Sequence, residues 1–252
     1  METPEAEGIH PGYAAGMTPK PPEQQHRTIT GNALRAAVLG ANDGLVSNLN
    51  LVMGVAGAGL ASHAIVITGI AGLLAGAISM ALGEWISVQS ARELAKRELA
   101  IEAREIDTQP DVEQAELVGF FLAKGLAEED ARHMAARMMT SKEAVLDTMA
   151  REELGIDPKE LGGSAWVAAY SSFLLFVLGA SIPLLPYFFA TGQTAIAVSV
   201  VGSAIGLVVL GAGIGWLNGL NLWYAAGRQL LFGLVAGAIT YGLGKVMGAV
   251  IQ

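Results

Sequence analysis

Two carboxylates, Asp43 and Glu84, stand alone in the apolar stretch from Ala37 to about Gln89, and a carboxylate in hydrocarbon costs at least about 2.5–3.5 kcal/mol on insertion scales. Asp43 lies eight residues from Arg35 and Glu84 eight from Arg92. At a rise of 1.5 Å per residue each acid is expected about 12 Å inward from a cation, at a shared depth. Met80 precedes Glu84 by one turn on the same face and is expected slightly deeper, about 18 Å in. On the first helix Ser47, Asn50, Gly54 and Gly57 fall within about 40° of Asp43, a polar stripe with small residues unsuited to lipid. Carboxylate oxygen prefers hard cations and thioether sulfur softer ones, so a mixed site suits a first-row transition metal better than Na⁺ or Mg²⁺. Burial favours the neutral acid and a bound cation the ionised one, so the same oxygens can hold a proton or a metal in turn. Metal-for-proton exchange follows from that competition. The alternative is a pair of neutral acids, each hydrogen-bonded to a neighbouring helix.

A second group of acids lies in the polar middle of the chain. Glu98, Glu102 and Glu105 share one helix face, Glu113 and Glu116 repeat the three-residue spacing after Pro110, and Met149 and Glu153 stand one turn apart. Carboxylates at i,i+3 or i,i+4 can share a cation, and several such helices can close oxygen cages around divalent ions. By themselves they read first as solvated helix surface. His133, Met134, Met138 and Met139 read as core packing on a short helix before they read as ligands.

Positioning these groups falls to helices. Of 252 residues 52% are hydrophobic and 15% charged, against about a quarter charged in soluble domains, so the chain reads as lipid-embedded. The lack of cysteine excludes disulfide scaffolds, thiolate metal sites and cysteine nucleophiles, and a net charge of −8 argues against nucleic acid. Residues 1–36 are polar and rich in Pro, Glu and Gln, with the composition of a disordered tail. Residues 90–162 hold nearly all the remaining acids and must sit in water. From Gly163 onward there is no acid, and Arg228 and Lys245 are the only cations. Apolar windows of transmembrane length fall at about 37–57, 64–88, 165–189, 194–216 and 225–250. The positive-inside rule puts the tail, the insert and the Arg228 loop in the cytoplasm. The fold class is therefore an all-α polytopic membrane protein, with spans one and two in 37–89, a cytoplasmic helical insert in 90–162 and spans three to five in 163–252. Span two is expected to continue into water until Pro110 breaks it. Helices should follow at about Val112–Lys124, Glu128–Met139 and Ser141–Glu153, the last ended by Gly155 and Pro158.

Asn42-Asp-Gly-Leu-Val, Ala75-Gly-Ala-Ile-Ser-Met-Ala-Leu-Gly-Glu-Trp-Ile-Ser, Glu153-Leu-Gly-Ile and Gly179-Ala-Ser-Ile-Pro-Leu-Leu-Pro-Tyr together resemble the vacuolar iron transporter family over about residues 30–250. The resemblance implies a five-helix homodimer that exports Fe²⁺ from the cytoplasm in exchange for protons, along a path between the first and second spans of the two subunits. It makes Asp43 and Met80 path ligands, and Glu102, Glu105, Glu113, Glu116, Met149 and Glu153 the metal-collecting set of the insert. The chain departs from the plant members at Gly72, where they carry an acid, at Glu84, where they carry glycine, and at Ala150, where they carry methionine. Glu84 either replaces the acid or serves at the mouth, and Ala150 is expected to weaken selectivity for iron over manganese or zinc.

These readings converge on a proton-coupled Fe²⁺ exporter with no permanently bound cofactor, whose partners are a second copy, the bilayer, protons and divalent ions. Mn²⁺, Co²⁺ and Zn²⁺ are further candidate cargoes, and a broader Mn²⁺-favouring exporter is the near alternative. A di-iron oxidase is disfavoured because no Glu-x-x-His motif lies in the helical stretches; Glu7–His10 and Glu23–His26 have the spacing but fall in the polar tail. A sensor that binds without transporting is the third class. The expected location is a bacterial inner membrane, with a vacuolar membrane as the alternative.

Overall fold

The computed structural model describes residues 32–158 and 164–251, all helix and connecting turn with no strand among them. Most of the expected N-terminal tail lies outside the described residues. Helix α1 spans Asn32–Gly57 and α2 Ser62–Thr108. Three short helices follow, α3 Pro110–Ala123, α4 Glu128–Met138 and α5 Lys142–Glu152, and then α6 Ala165–Leu184, α7 Gly192–Leu217 and α8 Leu222–Ile251. Helix α1 begins before the expected start at residue 37. Its first turns are anchored by Ala36, which is fully buried against Val88 of α2 and Ala165 and Ala168 of α6.

Four of these helices, α2, α6 with its trailing turn, α7 and α8, are long and apolar enough to cross a membrane. Helix α1 is as long as α7, at 26 residues, but Asn42, Asp43, Ser47, Asn48 and Asn50 lower its hydropathy. Its place explains that composition, because α1 packs against α2, α6, α7 and α8 and most extensively against α6. Side chains turned toward other helices need not be apolar when the neighbours supply partners. Asn48 donates to the carbonyl oxygen of Ala180 at 2.7 Å, and Gln229 of α8 donates to the Oδ1 of Asn42. The outer faces carry the opposite chemistry, with Ile67, Ile70, Leu74, Ile78, Leu82 and Ile86 exposed along α2 alone.

Glycine lets α1 sit this close. A Cβ at Gly44 would lie 2.2 Å from the carbonyl oxygen of Phe176, and one at Gly179 would lie 2.2 Å from that of Ala41. On the opposite side Gly57 and Gly244 make equally close backbone contacts between α1 and α8. The small-residue pair Gly211/Gly215 packs α7 on Ala225 and Ala226 of α8. Pro183 lies in the last turn of α6, and a 3-10 turn, Leu185–Phe188, containing Pro186 ends that helix. Ser199 of α7 donates to the carbonyl oxygen of Pro183 at 2.7 Å.

Helix α2 runs for 47 residues, about 70 Å at 1.5 Å per residue and more than twice the hydrocarbon thickness of about 30 Å. Its second half carries α3, α4 and α5 on a separate core in which Leu117, Ala131, Ala135, Val145 and Met149 are completely buried beside Ile106 and Phe121. The helix boundaries of this insert agree with the sequence expectation to within two residues, because Pro110 at the start of α3 and Gly155 at φ +63° after α5 are local signals that packing does not override.

Candidate functional site

Between α1 and α2 lies a cavity of about 300 Å³, walled by Asp43, Ser47, Asn48 and Leu51 of α1, Gly72, Gly76, Ser79 and Met80 of α2, and Phe176 of α6. Two glycines of α2 let side chains of α6 and α1 close in to form its wall. A Cβ at Gly76 would meet the Phe176 ring at 2.3 Å, and one at Gly72 would meet Leu51 Cδ2 at 2.2 Å. The side chains of Asp43 and Met80 line one cavity. Ser47 donates to the main-chain oxygen of Asp43 at 2.5 Å, which fixes its hydroxyl against the wall. Asp43 and Ser47 are exposed in the single chain, so the cavity opens sideways through a surface that is otherwise apolar.

Two expected residues lie elsewhere. Glu84, 9% exposed, is ion-paired with Arg35 at 3.2 Å and does not line the cavity. The expected pairing of Asp43 with Glu84 is thus corrected: Asp43 shares the cavity wall with Met80, whereas the Glu84 carboxylate, one turn along α2, is held by Arg35. Asn50 also lies outside the cavity. Its Oδ1 is buried near Gly237 of α8, because α8 crosses the polar stripe of α1 at Gly54 and Gly57 and closes its farther half. The residue missed was Asn48, about 140° from Asp43 on the helical wheel. A face argument excludes it, yet the cavity wraps far enough round α1 to include it.

In the insert, acids converge from three helices. Glu102 and Glu113 are only 3% and 5% exposed. Burial first, then the negative charges of Glu153, Glu113 and Glu105, push the Glu102 carboxyl up to about 8. Glu102 therefore holds the proton and shares it with Glu113 and Glu153, which lowers those two, although burial and then the remaining acids leave both above the ordinary range. Glu116 and Glu105 act on Glu113 and Glu153 through charge alone. Glu98, one turn before Glu102, is not among the groups that perturb it. Met149 is fully buried in the hydrophobic core of the insert, one turn before Glu153. Among the described residues no three His, Asp or Glu side chains are spaced as a ready metal cage; the acids are arranged around a shared proton that a cation would have to displace. His133 and Met134 are exposed, whereas Met138 and Met139 pack on the core.

Comparison with known proteins gives the same direction. A VIT family model matches residues 34–245. The chain is 33% identical to a vacuolar iron transporter of Centaurea cyanus, covering 88% of this chain and 91% of that one. It is 32% identical to vacuolar iron transporter 1 of Arabidopsis thaliana, covering 89% of each. A vacuolar iron transporter of Acanthamoeba castellanii is 32% identical over 91% of this chain and 85% of its own length. The match runs through the cavity helices and the acidic insert alike, and the chain, an integral membrane protein, belongs to the VIT family.

Proposed function

We propose that this protein carries Fe²⁺ out of the cytoplasm in exchange for protons, with α1 as a fifth span. The observation that carries the reading is the α1–α2 cavity in which a carboxylate, Asp43, and a thioether, Met80, face the same space. An acid and a sulfur on a shared wall suit a borderline transition ion, and the acid can take a proton once the ion has left. The insert collects the cation at Glu102, Glu105, Glu113, Glu116 and Glu153, and charge asymmetry puts it on the cytoplasmic side. A second copy of the chain closes the open side of the cavity. Its support is the exposure of Asp43 and Ser47 amid the apolar outer face of α2, where an uncovered carboxylate would meet lipid. Glu84 with Arg35 stands at the mouth.

The test is flux in proteoliposomes with an imposed pH gradient. Wild type should move Fe²⁺ against protons, and Asp43→Ala should abolish that movement while the protein still folds and assembles. Undiminished flux in Asp43→Ala would overturn the reading. A broader carrier that favours Mn²⁺ is a second reading, supported by the excess of oxygen over sulfur in the wall, where Asp43, Ser47, Asn48 and Ser79 surround a single Met80. Competition between the two ions in the same assay separates them.

A further inference from the structure

The proposed carriage of a cation assigns roles to Asp43 and Met80 but leaves unexplained the most completely buried polar residue of the cavity wall. Asn48 is 2% exposed. Its Nδ2 donates to the carbonyl oxygen of Ala180 at 2.7 Å, and that bond settles which way the amide points, since the reverse orientation would set two oxygens against each other. The Oδ1 is thereby held toward α2, where it has no hydrogen-bond partner. It flanks a notch over Gly72: a Cβ placed there would lie 3.5 Å from Asn48 Oδ1 and 2.2 Å from Leu51 Cδ2. The apolar Leu51 side chain fills the notch and shields the oxygen from water. Leaving a buried acceptor without a partner is unfavourable, and here the unmet acceptor is fixed in place at the wall of a cavity that already offers a carboxylate and a thioether.

We infer that Asn48 is a specificity-determining residue of the transport path, its amide oxygen meeting the passing divalent cation, or that cation's water shell, when Leu51 swings out of the notch over Gly72. The inference rests on the transport reading above. An amide oxygen is a neutral, hard ligand. It adds affinity for oxygen-preferring ions without adding a second charge beside Asp43, and so shifts the balance of the site away from the softer ions that Met80 favours.

The experiment is proteoliposome flux of the full chain, with KM and kcat measured separately for Mn²⁺, Fe²⁺ and Zn²⁺ in wild type, Asn48→Ala, Leu51→Ala and the double variant. Asn48→Ala should raise KM for Mn²⁺ about tenfold with kcat little changed, the signature of lost binding common to ground and transition states, and should raise that for Zn²⁺ less. Leu51→Ala keeps the bond to Ala180 and uncovers the oxygen, so it should lower KM in the wild-type background and leave it unchanged when Asn48 is already alanine. A purely structural Asn48 would lower stability without moving the Mn²⁺/Zn²⁺ ratio, and that result overturns the inference. If Asn48→Ala does not fold, Leu51→Ala alone decides: an unchanged or raised KM refutes the role. Wild type that carries no metal would remove both readings, whereas wild type that carries metal and loses it in Asp43→Ala, with Asn48→Ala at unaltered KM, would remove this one alone.

Discussion

Replacing Gly44 with alanine should drive α1 and α6 apart. The new Cβ would stand 2.2 Å from the carbonyl oxygen of Phe176 and 2.9 Å from its carbonyl carbon and Cα, whereas ordinary contact begins at 3.4 Å. The opposing atoms are backbone, so no side-chain rotation relieves the overlap, and the helices must separate locally by about 1 Å. Overpacking of this kind costs about 1–3 kcal/mol, with the upper part of that range expected because Gly40 on Ser172 and Gly179 on Ala41 share the same seam. Alanine's better helix propensity returns at most about 1 kcal/mol, so a net loss of roughly 1–2 kcal/mol remains. Asp43 adjoins the displaced residue, so flux should fall as well. Gly213→Ala is the control, since nothing lies within 4 Å of a Cβ there. Thermal unfolding in one detergent, followed by the loss of the monodisperse elution peak, ranks the three proteins, and proteoliposome flux follows the survivors. A Gly44→Ala protein melting at or above wild type would refute the close-packed α1–α6 seam.

Glu102, raised from an ordinary 4.5 to about 8, is mostly protonated at pH 7, so divalent cation binding to the insert should expel a proton there and far less at pH 9; titration calorimetry in two buffers of different ionisation enthalpy reads the release, and identical heats at pH 7 would refute it. The sign for stability follows from the same shift: without metal, the contribution of Glu102 is fully present below about pH 4.5 and is lost as pH rises through 8. Divalent cation should therefore raise the melting temperature more at pH 8.5 than at pH 5. Glu84→Gln removes an ion pair whose Arg35 partner is 61% exposed, so it should cost about 1 kcal/mol or less and slow flux less than tenfold, where Asp43→Ala abolishes it. Met149→Leu keeps the buried volume and should cost under about 1.5 kcal/mol, whereas Met149→Ala should cost about 2–5 kcal/mol; a drop in metal affinity already present in the leucine variant would identify the sulfur as a ligand.

The parts of this fold that were readable from residues alone are those with local causes. Pro110, Gly155 and the run of helix formers from Arg92 onward set the insert's helices without reference to anything distant. Asp43 was legible as a lone acid on the polar stripe of an apolar helix, and Met80 as the thioether one turn before the other lone acid, Glu84. Where α8 crosses α1 is not a local property, and it decides that Ser47 meets the cavity while Asn50 does not. The pairing of Glu84 with Arg35 likewise depends on the relative register of two helices, which spacing within either one cannot give. Asn48 escaped because its role comes from Ala180, 132 residues away in the chain. The acids of the insert could be named by spacing, but which of them keeps the proton depended on burial that only the assembled helices define.

Helix α2 contains no proline in its 47 residues, and this unbroken run makes it a lever. Met80 in the cavity wall and Glu102 in the acid cluster lie on the same rod, about 33 Å apart. A tilt of about 10° at the level of Met80 would carry Glu102 sideways by roughly 6 Å. In the proposed carrier, cation capture at the insert and the width of the α1–α2 cavity are therefore mechanically geared, with no loop between them to absorb the motion.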